Sequence, residues 1–243
     1  MHLELSQYSR IVILTGAGIS AASGLRTYRG PEGVWDEYEV EKYGQADALI
    51  YRPEETWRLF GGMRKSILSV VPNAAHRALA QWESSLAPHQ ELLIVTQNVD
   101  ALHQRAGSKN VVELHGNIMF TKCSSASCEL ERYRDEESHA EKVPTCPKCG
   151  SVLRPDVVLF GEELPALPSW TVNRALRDCD LFIAIGTSGL VTPAANYVRS
   201  AEYAGARTIL MNLEPMMKPN PAFKEQYFGP AERVLPELLA TDA

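Results

Sequence analysis

The sequence predicts a doubly wound α/β fold, in which helices cover both faces of a parallel sheet. The first observation is a series of short, continuous apolar runs rich in β-branched residues, as strands buried on both faces require. The second is that helix-like segments lie between these runs, as the crossovers of a parallel sheet require. The predicted strands are residues 11–14, 92–95, 111–114, 181–185 and 208–213, and the clearest helices are residues 74–86 and 193–204.

The first predicted strand leads directly into a turn of small residues that begins with Gly16, Ala17 and Gly18. Backbone N–H groups at such a strand-to-helix turn can approach a pyrophosphate, although a glycine turn also occurs for close packing alone. Gly16, Gly18 and Ala21 fit the loose dinucleotide fingerprint of dehydrogenases, but no second strand ends in an acidic residue about 20 residues later. The turn therefore favours a nucleotide-using protein other than a hydride-transfer enzyme.

Two segments interrupt the alternation of strands and helices. Residues 36–70 are aromatic, charged and helix-like, and residues 119–156 contain four cysteines and a polar stretch, 129–141, which we interpret as a solvated face. We predict a smaller lobe that is built from these two insertions, one helical and one zinc-bearing. The nucleotide-binding core would then comprise residues 1–35, 71–118 and 157–243.

Polar residues follow the second and third predicted strands. The second strand is followed by Gln97, Asn98 and Asp100, and the third by His115. Because the carboxyl ends of parallel strands face one crevice, we expect these side chains to meet there. A lone histidine is more often structural than catalytic, but this position beside Asn98 and Asp100 makes His115 a candidate general base.

The fourth and fifth predicted strands end in similar turns. Gly186, Thr187 and Ser188 form a small polar turn that can contact phosphate, and Asn212 and Glu214 are suited to hydrogen bonds with ribose hydroxyls. All four strand ends therefore predict one nucleotide site.

Four of the five cysteines form two closely spaced pairs, Cys123 with Cys128 and Cys146 with Cys149. Two such turns can close a tetrahedral zinc site. Two disulfides are the alternative, but a cytosolic chain would not keep them oxidised, and a redox-active Cys-x-x-Cys would leave the first pair without a role. We predict structural zinc, because four protein ligands leave no open position for water. Cys179, which precedes an apolar strand, is expected in the core.

Composition excludes several classes of protein. The 243 residues are 45% hydrophobic with a net charge of −6 and a pI near 5.6, which excludes disorder and argues against nucleic-acid or anionic-membrane binding. No apolar run approaches the roughly 18 residues of a membrane span. Residues 11–14 resemble the apolar region of a short secretory signal peptide, but Glu4 precedes them and Gly16 and Gly18 follow almost directly. We therefore expect a cytoplasmic protein.

Eight motifs occur in the order found in sirtuins, and the chain resembles that family over nearly its whole length. They are Gly-Ala-Gly-Ile-Ser, Thr-x-Arg-Gly, Thr-Gln-Asn-x-Asp, Leu-His-Gly, the two cysteine pairs, Phe-Gly-Glu, Gly-Thr-Ser and Asn-x-Glu. The resemblance implies an NAD-dependent protein-lysine deacylase with a Rossmann-type core and a smaller zinc-binding and helical lobe.

The resemblance also implies roles for individual residues. His115 and Asn98 would be catalytic, and Asn98 and Asp100 would surround the nicotinamide ribose and the nicotinamide pocket. Tyr28 and Arg29 would belong to a cofactor loop, in which tyrosine replaces the usual phenylalanine. The remaining dinucleotide-binding residues would be Gly16, Ala17, Gly18, Gln97, Gly186, Thr187, Ser188, Asn212 and Glu214.

By the same resemblance, the acyl-lysine carbonyl oxygen would attack the nicotinamide ribose as nicotinamide leaves. His115 would then take a proton from a ribose hydroxyl, which attacks the acyl carbon, and the products would be lysine, nicotinamide and acyl-ADP-ribose. The peptide would lie as an added strand between two segments. These are Val158, Phe160, Gly161 and Glu162 on one side, and Gly189, Leu190 and Val191 on the other. Residues 157–160 can equally be a core strand.

The acyl group is predicted to be apolar. Desuccinylating sirtuins carry a Tyr-x-x-Arg pair on a helix of the small lobe, and the corresponding residues here are Phe60 and Met63, with Arg64 one place late. An apolar pair would leave a buried carboxylate unpaired. In the same register Gly44 replaces a residue of the acyl pocket, which suggests space for a longer apolar chain.

Three alternatives remain open on the sequence alone. One is mono-ADP-ribosyl transfer from the same NAD site, and another is a non-enzymatic zinc protein that senses NAD or ADP-ribose. A catalytic zinc hydrolase is disfavoured, because four thiolates complete the metal shell without His115. The sequence leaves the oligomeric state open, and a monomer is compatible with it.

Overall fold

The computed structural model of the chain describes residues 3–27 and 38–240. Two sheets and a set of short helices make up this part of the molecule. The strands are β1 (Arg10–Thr15), β2 (Glu91–Thr96), β3 (Val111–Glu113), β4 (Gly116–Cys123), β5 (Tyr133–Arg134), β6 (Leu153–Val157), β7 (Leu181–Ile185), β8 (Arg207–Asn212) and β9 (Glu225–Phe228). The α-helices are α1 (Tyr38–Tyr43), α2 (Ala46–Tyr51), α3 (Pro53–Leu68), α4 (Ala74–Ser84), α5 (Leu102–Ala106), α6 (Ala166–Ala175), α7 (Tyr197–Tyr203) and α8 (Ala231–Leu239).

The larger sheet is parallel throughout and has the strand order β3-β2-β1-β7-β8-β9. Alternate residues of one strand enter separate cores: Ile11 and Ile13 pack on one face, and Val12 and Leu14 on the other. Helices α4 and α8 cover the first face, and α6 and α7 cover the second. The predicted doubly wound fold is therefore confirmed, with all five predicted strands in this sheet.

The order of strands reverses between β1 and β7, and a crevice opens beyond the carboxyl ends of these two strands. This is the position at which doubly wound sheets bind ligands. The segment after β1 is a short 3-10 helix, Ala17–Ser23, so the predicted strand-to-helix turn is present in a tighter form.

The smaller sheet is antiparallel in the order β5-β4-β6, and α3 packs against it. Its strands extend past the predicted insertion boundaries at 119 and 156, since β4 begins at Gly116 and β6 ends at Val157. The division into one core and two insertions stays a prediction. The helical character predicted for residues 36–70 is observed from Tyr38 onward, in α1, α2 and α3.

One prediction about this region is wrong, and a second, the solvated face over residues 129–141, is confirmed only in part. Residues 157–160 do not form a core strand: β6 ends at Val157, and only Phe160 continues the pairing, through a single bridge to Gln45. Residues 129–141 are not solvated throughout, because Asp135 is buried and bonded to Arg64, Thr121 and His139. A buried carboxylate of this kind requires partners, and these three side chains provide them.

Within residues 3–27 and 38–240, no helix combines the length and the apolar character that a membrane span requires.

Candidate active site

A cleft of about 920 Å³ lies at the carboxyl ends of β1, β2, β7 and β8 and extends to the helices of the small lobe. It brings together most of the site residues predicted from sequence: Gly16, Ala17, Gly18, Gln97, Asn98, His115, Gly186, Thr187, Ser188, Asn212 and Glu214, and, towards the small lobe, Gly44, Phe60, Met63, Val158, Phe160, Gly161, Glu162 and Val191. Asp100, Gly189 and Leu190 do not line it. Tyr28 and Arg29 lie outside the described residues.

The glycine turn after β1 packs directly against the turn after β7. A Cβ atom on Gly18 would lie 2.7 Å from the Cα of Gly186, so no larger residue fits there. The N–H groups of Gly16 and Gly18 donate to the carbonyls of Ile185 and Gly186, at 3.0 and 2.9 Å. These two amides are therefore not available to a pyrophosphate, and the two glycines serve the close approach of two turns.

Asn98 is fixed by a buried polar network beneath the cleft. Its amide donates to the Gly16 carbonyl at 3.1 Å and to the Ser20 hydroxyl at 3.2 Å. Ser20 in turn donates to Asp100 at 2.7 Å. Burial raises the pKa of Asp100, although bonds from the Leu102 amide and from Ser20 oppose this shift. Asp100 thus acts through Ser20 and Asn98 from below the site.

Two further histidines lie in the same buried region, but neither lines the cleft. His76 Nε2 is 3.5 Å from the Ser20 hydroxyl, and His103 Nε2 is 3.0 Å from that of Thr15. Burial lowers the pKa of His76 to about 4 and that of His103 to about 3, so both rings are neutral at pH 7. His76 and His103 carry no local sequence signal, and Ser20 is marked only as part of the Gly-Ala-Gly-Ile-Ser motif, so only the folded chain reveals this network.

His115 is positioned as a base by a single backbone contact. Its Nδ1 lies 2.9 Å from the carbonyl oxygen of Gln97. Because a carbonyl oxygen only accepts, Nδ1 carries the ring proton, and Nε2 is left with its lone pair. Burial lowers the pKa of His115, and the bond to Gln97 opposes that shift. The ring is therefore a neutral base at pH 7.

The polar residues that follow β2, β7 and β8 are joined by hydrogen bonds. The Gln97 amide donates to the Thr187 hydroxyl at 3.1 Å. Asn212 accepts from the Thr187 amide at 3.0 Å and donates to the Thr187 carbonyl at 2.9 Å. These bonds hold the strand ends in one arrangement around the nucleotide side of the cleft.

Residues 158–162 connect this side of the cleft to the small lobe. The Val158 amide donates to the His115 carbonyl at 2.9 Å. The backbone of Phe160 donates to Gly44 and accepts from Ala46, at 3.0 Å in each case. Opposite this segment, Gly189 is covered by Met216, whose methyl group lies 1.9 Å from the position of a Cβ on Gly189.

The small-lobe end of the cleft is apolar. Phe60 and Met63 of α3 line it, together with Val40, Leu59 and Val99, which the sequence did not single out. Gly44 has a packing reason of its own, since a Cβ there would lie 2.7 Å from the Val40 carbonyl oxygen.

Arg64 points away from the cleft and is 1% exposed. It donates to the carbonyls of Ile118 and Glu137 and to the Thr121 hydroxyl, and it lies 3.3 Å from Asp135. No cationic side chain is present among the described residues that line the cleft.

The four predicted metal ligands converge at one point. The sulfurs of Cys123, Cys128, Cys146 and Cys149 all lie within 4.8 Å of one another, with 3.5 Å between Cys123 and Cys149 and 3.6 Å between Cys128 and Cys146. A tetrahedral zinc ion with Zn–S distances of about 2.3 Å places its sulfurs about 3.8 Å apart, so the cluster fits zinc. Disulfides would need about 2.05 Å. Cys179 is buried in the core, as predicted.

The cleft also fits a dinucleotide. It lies at the reversal of strand order, and its walls carry polar side chains at the ends of β2, β7 and β8 and a basic nitrogen on His115. Residues 229–232, at the start of α8, line the same cleft, although nothing in their local sequence marked them as site residues.

Comparison with known proteins agrees with this geometry. The Sir2 family model matches residues 16–193. A relative from Pasteurella multocida (strain Pm70), named NAD-dependent protein deacylase, is 41% identical over 97% of this chain and 99% of its own length. A Sir2 homologue in complex with ADP-ribose superimposes with a TM-score of 0.89 at 34% identity, covering 98% of this chain and 94% of that one.

A second solved structure, named Sir2-p53 peptide-NAD+, has a TM-score of 0.81 at 32% identity and covers 96% of this chain and 94% of its own. The family model spans well over half of the chain, and the identity extends over nearly all of it. The chain belongs to the Sir2 family.

Proposed function

We propose that this chain is an NAD-dependent protein-lysine deacylase that releases free lysine, nicotinamide and acyl-ADP-ribose. The observation that carries the proposal is His115, whose Nδ1 donates to the Gln97 carbonyl and whose Nε2 is therefore basic. It lies in a cleft that also contains the polar residues after β2, β7 and β8. Three names support it. The relative from Pasteurella multocida is named a deacylase, one solved structure is named as a complex with ADP-ribose, and the other as a complex with a peptide and NAD.

When bound, NAD supplies a ribose carbon that becomes electrophilic as nicotinamide leaves. The chain's own residues orient the groups around that carbon. Thr187 and Asn212 hold the strand ends together, and Asn98 is fixed by Gly16 and Ser20 beneath the cleft. His115 Nε2 would accept a proton from a ribose hydroxyl of the bound nucleotide and so would act as the general base. The apolar walls at the small-lobe end would face the acyl chain, and the reaction consumes one water at the acyl carbon, because the amide oxygen stays on the ribose.

We propose acetyl and longer apolar acyl groups as substrates. Phe60 and Met63 present no charge to the acyl chain, and Arg64, the nearest cation on α3, is committed to the interior of the small lobe. A succinyl carboxylate would lose its water and find no cation among the described wall residues. We place the reaction in the cytoplasm, where NAD is available and thiols stay reduced.

Mass spectrometry of an acetyl-, succinyl- and myristoyl-lysine peptide panel tests the proposal. We expect NAD-dependent loss of acetyl or myristoyl with release of one nicotinamide per lysine formed, and succinyl turnover at least about 10-fold lower. Succinyl as the best substrate contradicts the acyl assignment. Nicotinamide release without any acylated peptide, with ADP-ribose retained on protein, indicates ADP-ribosyl transfer instead. Binding of NAD without turnover of any peptide indicates a sensor.

A further inference from the structure

Glu162 was predicted to contact the substrate, but its carboxylate is occupied within the chain. Arg154 of β6 donates to both carboxylate oxygens, at 2.5 and 2.8 Å, and the Leu159 amide donates to Oε2 at 2.8 Å. The Arg154 side chain is 10% exposed and that of Glu162 is 27% exposed. A bidentate pair in this setting is both strong and geometrically specific.

The pair closes a tight turn that follows β6. The Glu162 amide donates to the Leu159 carbonyl at 3.0 Å, and Gly161 between them adopts a left-handed conformation with φ of +89°. Arg154 also donates to the Val157 carbonyl at 2.8 Å, at the point where the strand ends. One arginine therefore holds the start and the end of residues 157–162 together.

Electrostatics favour the charged pair. Burial opposes ionisation of Glu162, but the hydrogen bonds from Arg154 and from the Leu159 amide outweigh it and lower the pKa of Glu162. The carboxylate is ionised at neutral pH and balanced by Arg154.

The turn lies between the two functional parts of the cleft. On one side Val158 is bonded to the backbone of His115, and on the other Phe160 is bonded to Gly44 and Ala46, next to the acyl pocket. Any displacement of the turn would move the backbone groups to which the peptide binds.

We infer that Arg154 and Glu162 form a positioning pair, which sets the peptide-binding segment 158–162 against His115 while the Glu162 carboxylate makes no contact with substrate. This inference rests on the proposed function, because only that function makes residues 158–162 a peptide-binding segment. Whether the pair holds the segment in place can be measured without substrate. Substrate would then pair with the backbone of the segment.

The activity test compares Glu162→Gln, Arg154→Met and the double variant in steady-state kinetics with an acetyl-lysine peptide. We expect each single variant to raise the peptide KM about 10-fold or more while kcat at saturating peptide and the KM for NAD change less than about 3-fold. The double variant should be no worse than either single variant, because both remove one interaction. The matched control is the exposed pair Arg134 and Glu136, 2.6 Å apart, with the same substitutions and no expected change.

The second test is amide hydrogen exchange without substrate. We expect Glu162→Gln and Arg154→Met to speed exchange across residues 157–162 by about 10-fold or more, with the strands of the larger sheet unchanged. Unchanged exchange in this segment overturns the inference whether or not the chain deacylates. So does a KM that rises for Glu162→Gln alone, since the carboxylate would then contact substrate, or an equal loss of NAD affinity, since the effect would then be general. If the wild-type protein turns over no acyl-peptide, the proposed function is contradicted. The exchange test then determines by itself whether Arg154 and Glu162 hold the segment in place.

Discussion

His115 differs from its buried neighbours His76 and His103 in where its free nitrogen lies. All three rings lose water on folding, and all three have lowered pKa values. Only His115 lines the cleft, with Nδ1 committed to the Gln97 carbonyl. The three buried histidines are therefore all candidate bases by residue type. The position and hydrogen-bond partner of each ring distinguish His115 from the other two.

The lowered pKa of His115 predicts the acid limb of the pH profile. Deacylation requires the neutral ring, and because burial lowers the pKa below its usual 6.5, the neutral form persists to lower pH. We expect kcat to stay constant as the pH is lowered from 8 to the usual histidine pKa of about 6.5, and to fall only at lower pH. His115→Ala should remove about 10²-fold or more of the activity. An acid limb above the usual value contradicts this assignment, and exposed His89→Ala is the matched control.

At the scale of elements, α3 joins the apolar end of the cleft, which is the proposed acyl pocket, to the sheet that carries the cysteines. Its inner face carries Arg64, whose bonds reach β4 and the loop after β5, and Gly61, whose missing Cβ admits the Ser138 carbonyl. The wall of the acyl pocket thus rests on a loop that the sequence presented as solvated. Arg64 therefore has a structural role, although its position next to Met63 in the sequence suggests a substrate contact.

Replacing Arg64 tests that structural role. Arg64→Met leaves the Ile118 and Glu137 carbonyls without their donor and Asp135 without its arginine partner inside the lobe, and breaking a buried pair on one side costs about 3–5 kcal/mol. We expect a decrease of this size in the free energy of unfolding measured by urea denaturation. Arg58→Met, at an exposed position on the same helix, should change it by less than about 0.5 kcal/mol. Equal effects of the two variants would contradict the buried role of Arg64.

For the whole molecule, the four-cysteine cluster stabilises the smaller sheet. Around the cysteines, Cys146 and Leu153 form a small apolar cluster with Trp57, which is too small a core to hold this end of the sheet without further support. A structural metal supplies that support, because its binding free energy contributes directly to folding.

Zinc removal should therefore destabilise the small lobe. We expect one zinc ion per chain by elemental analysis, and its loss on prolonged chelation should lower the melting temperature and abolish deacylation together. Cys149→Ala should reduce the zinc content, whereas Cys179→Ala, in the core of the larger sheet, should leave it unchanged. Retention of full stability after the metal is removed would contradict a structural role.

Some parts of the fold had no clear signal in the sequence. Helix α8 is amphipathic but contains Pro236, a residue that usually ends a helix. Helix α5 has five residues and β9 is a four-residue strand with a polar half, so the periodic patterns of these two elements are short. They form because the larger sheet provides apolar surface for them, as Leu235 and Leu238 of α8 show in the core.

Local sequence patterns are enough to predict the sheet class, the metal ligands and half of the residues that line the cleft. Each of these depends on a local pattern: β-branched runs for buried strands, close cysteine spacing for zinc, and polar residues at strand ends for the site. The hydrogen-bond partners of the polar side chains are known from the tertiary structure alone. The amides of Gly16 and Gly18 bond to the turn after β7, and Glu162 is held by Arg154. Such pairs join residues that are brought together by folding, and the bond that a polar group makes depends on which partner reaches it once water is excluded.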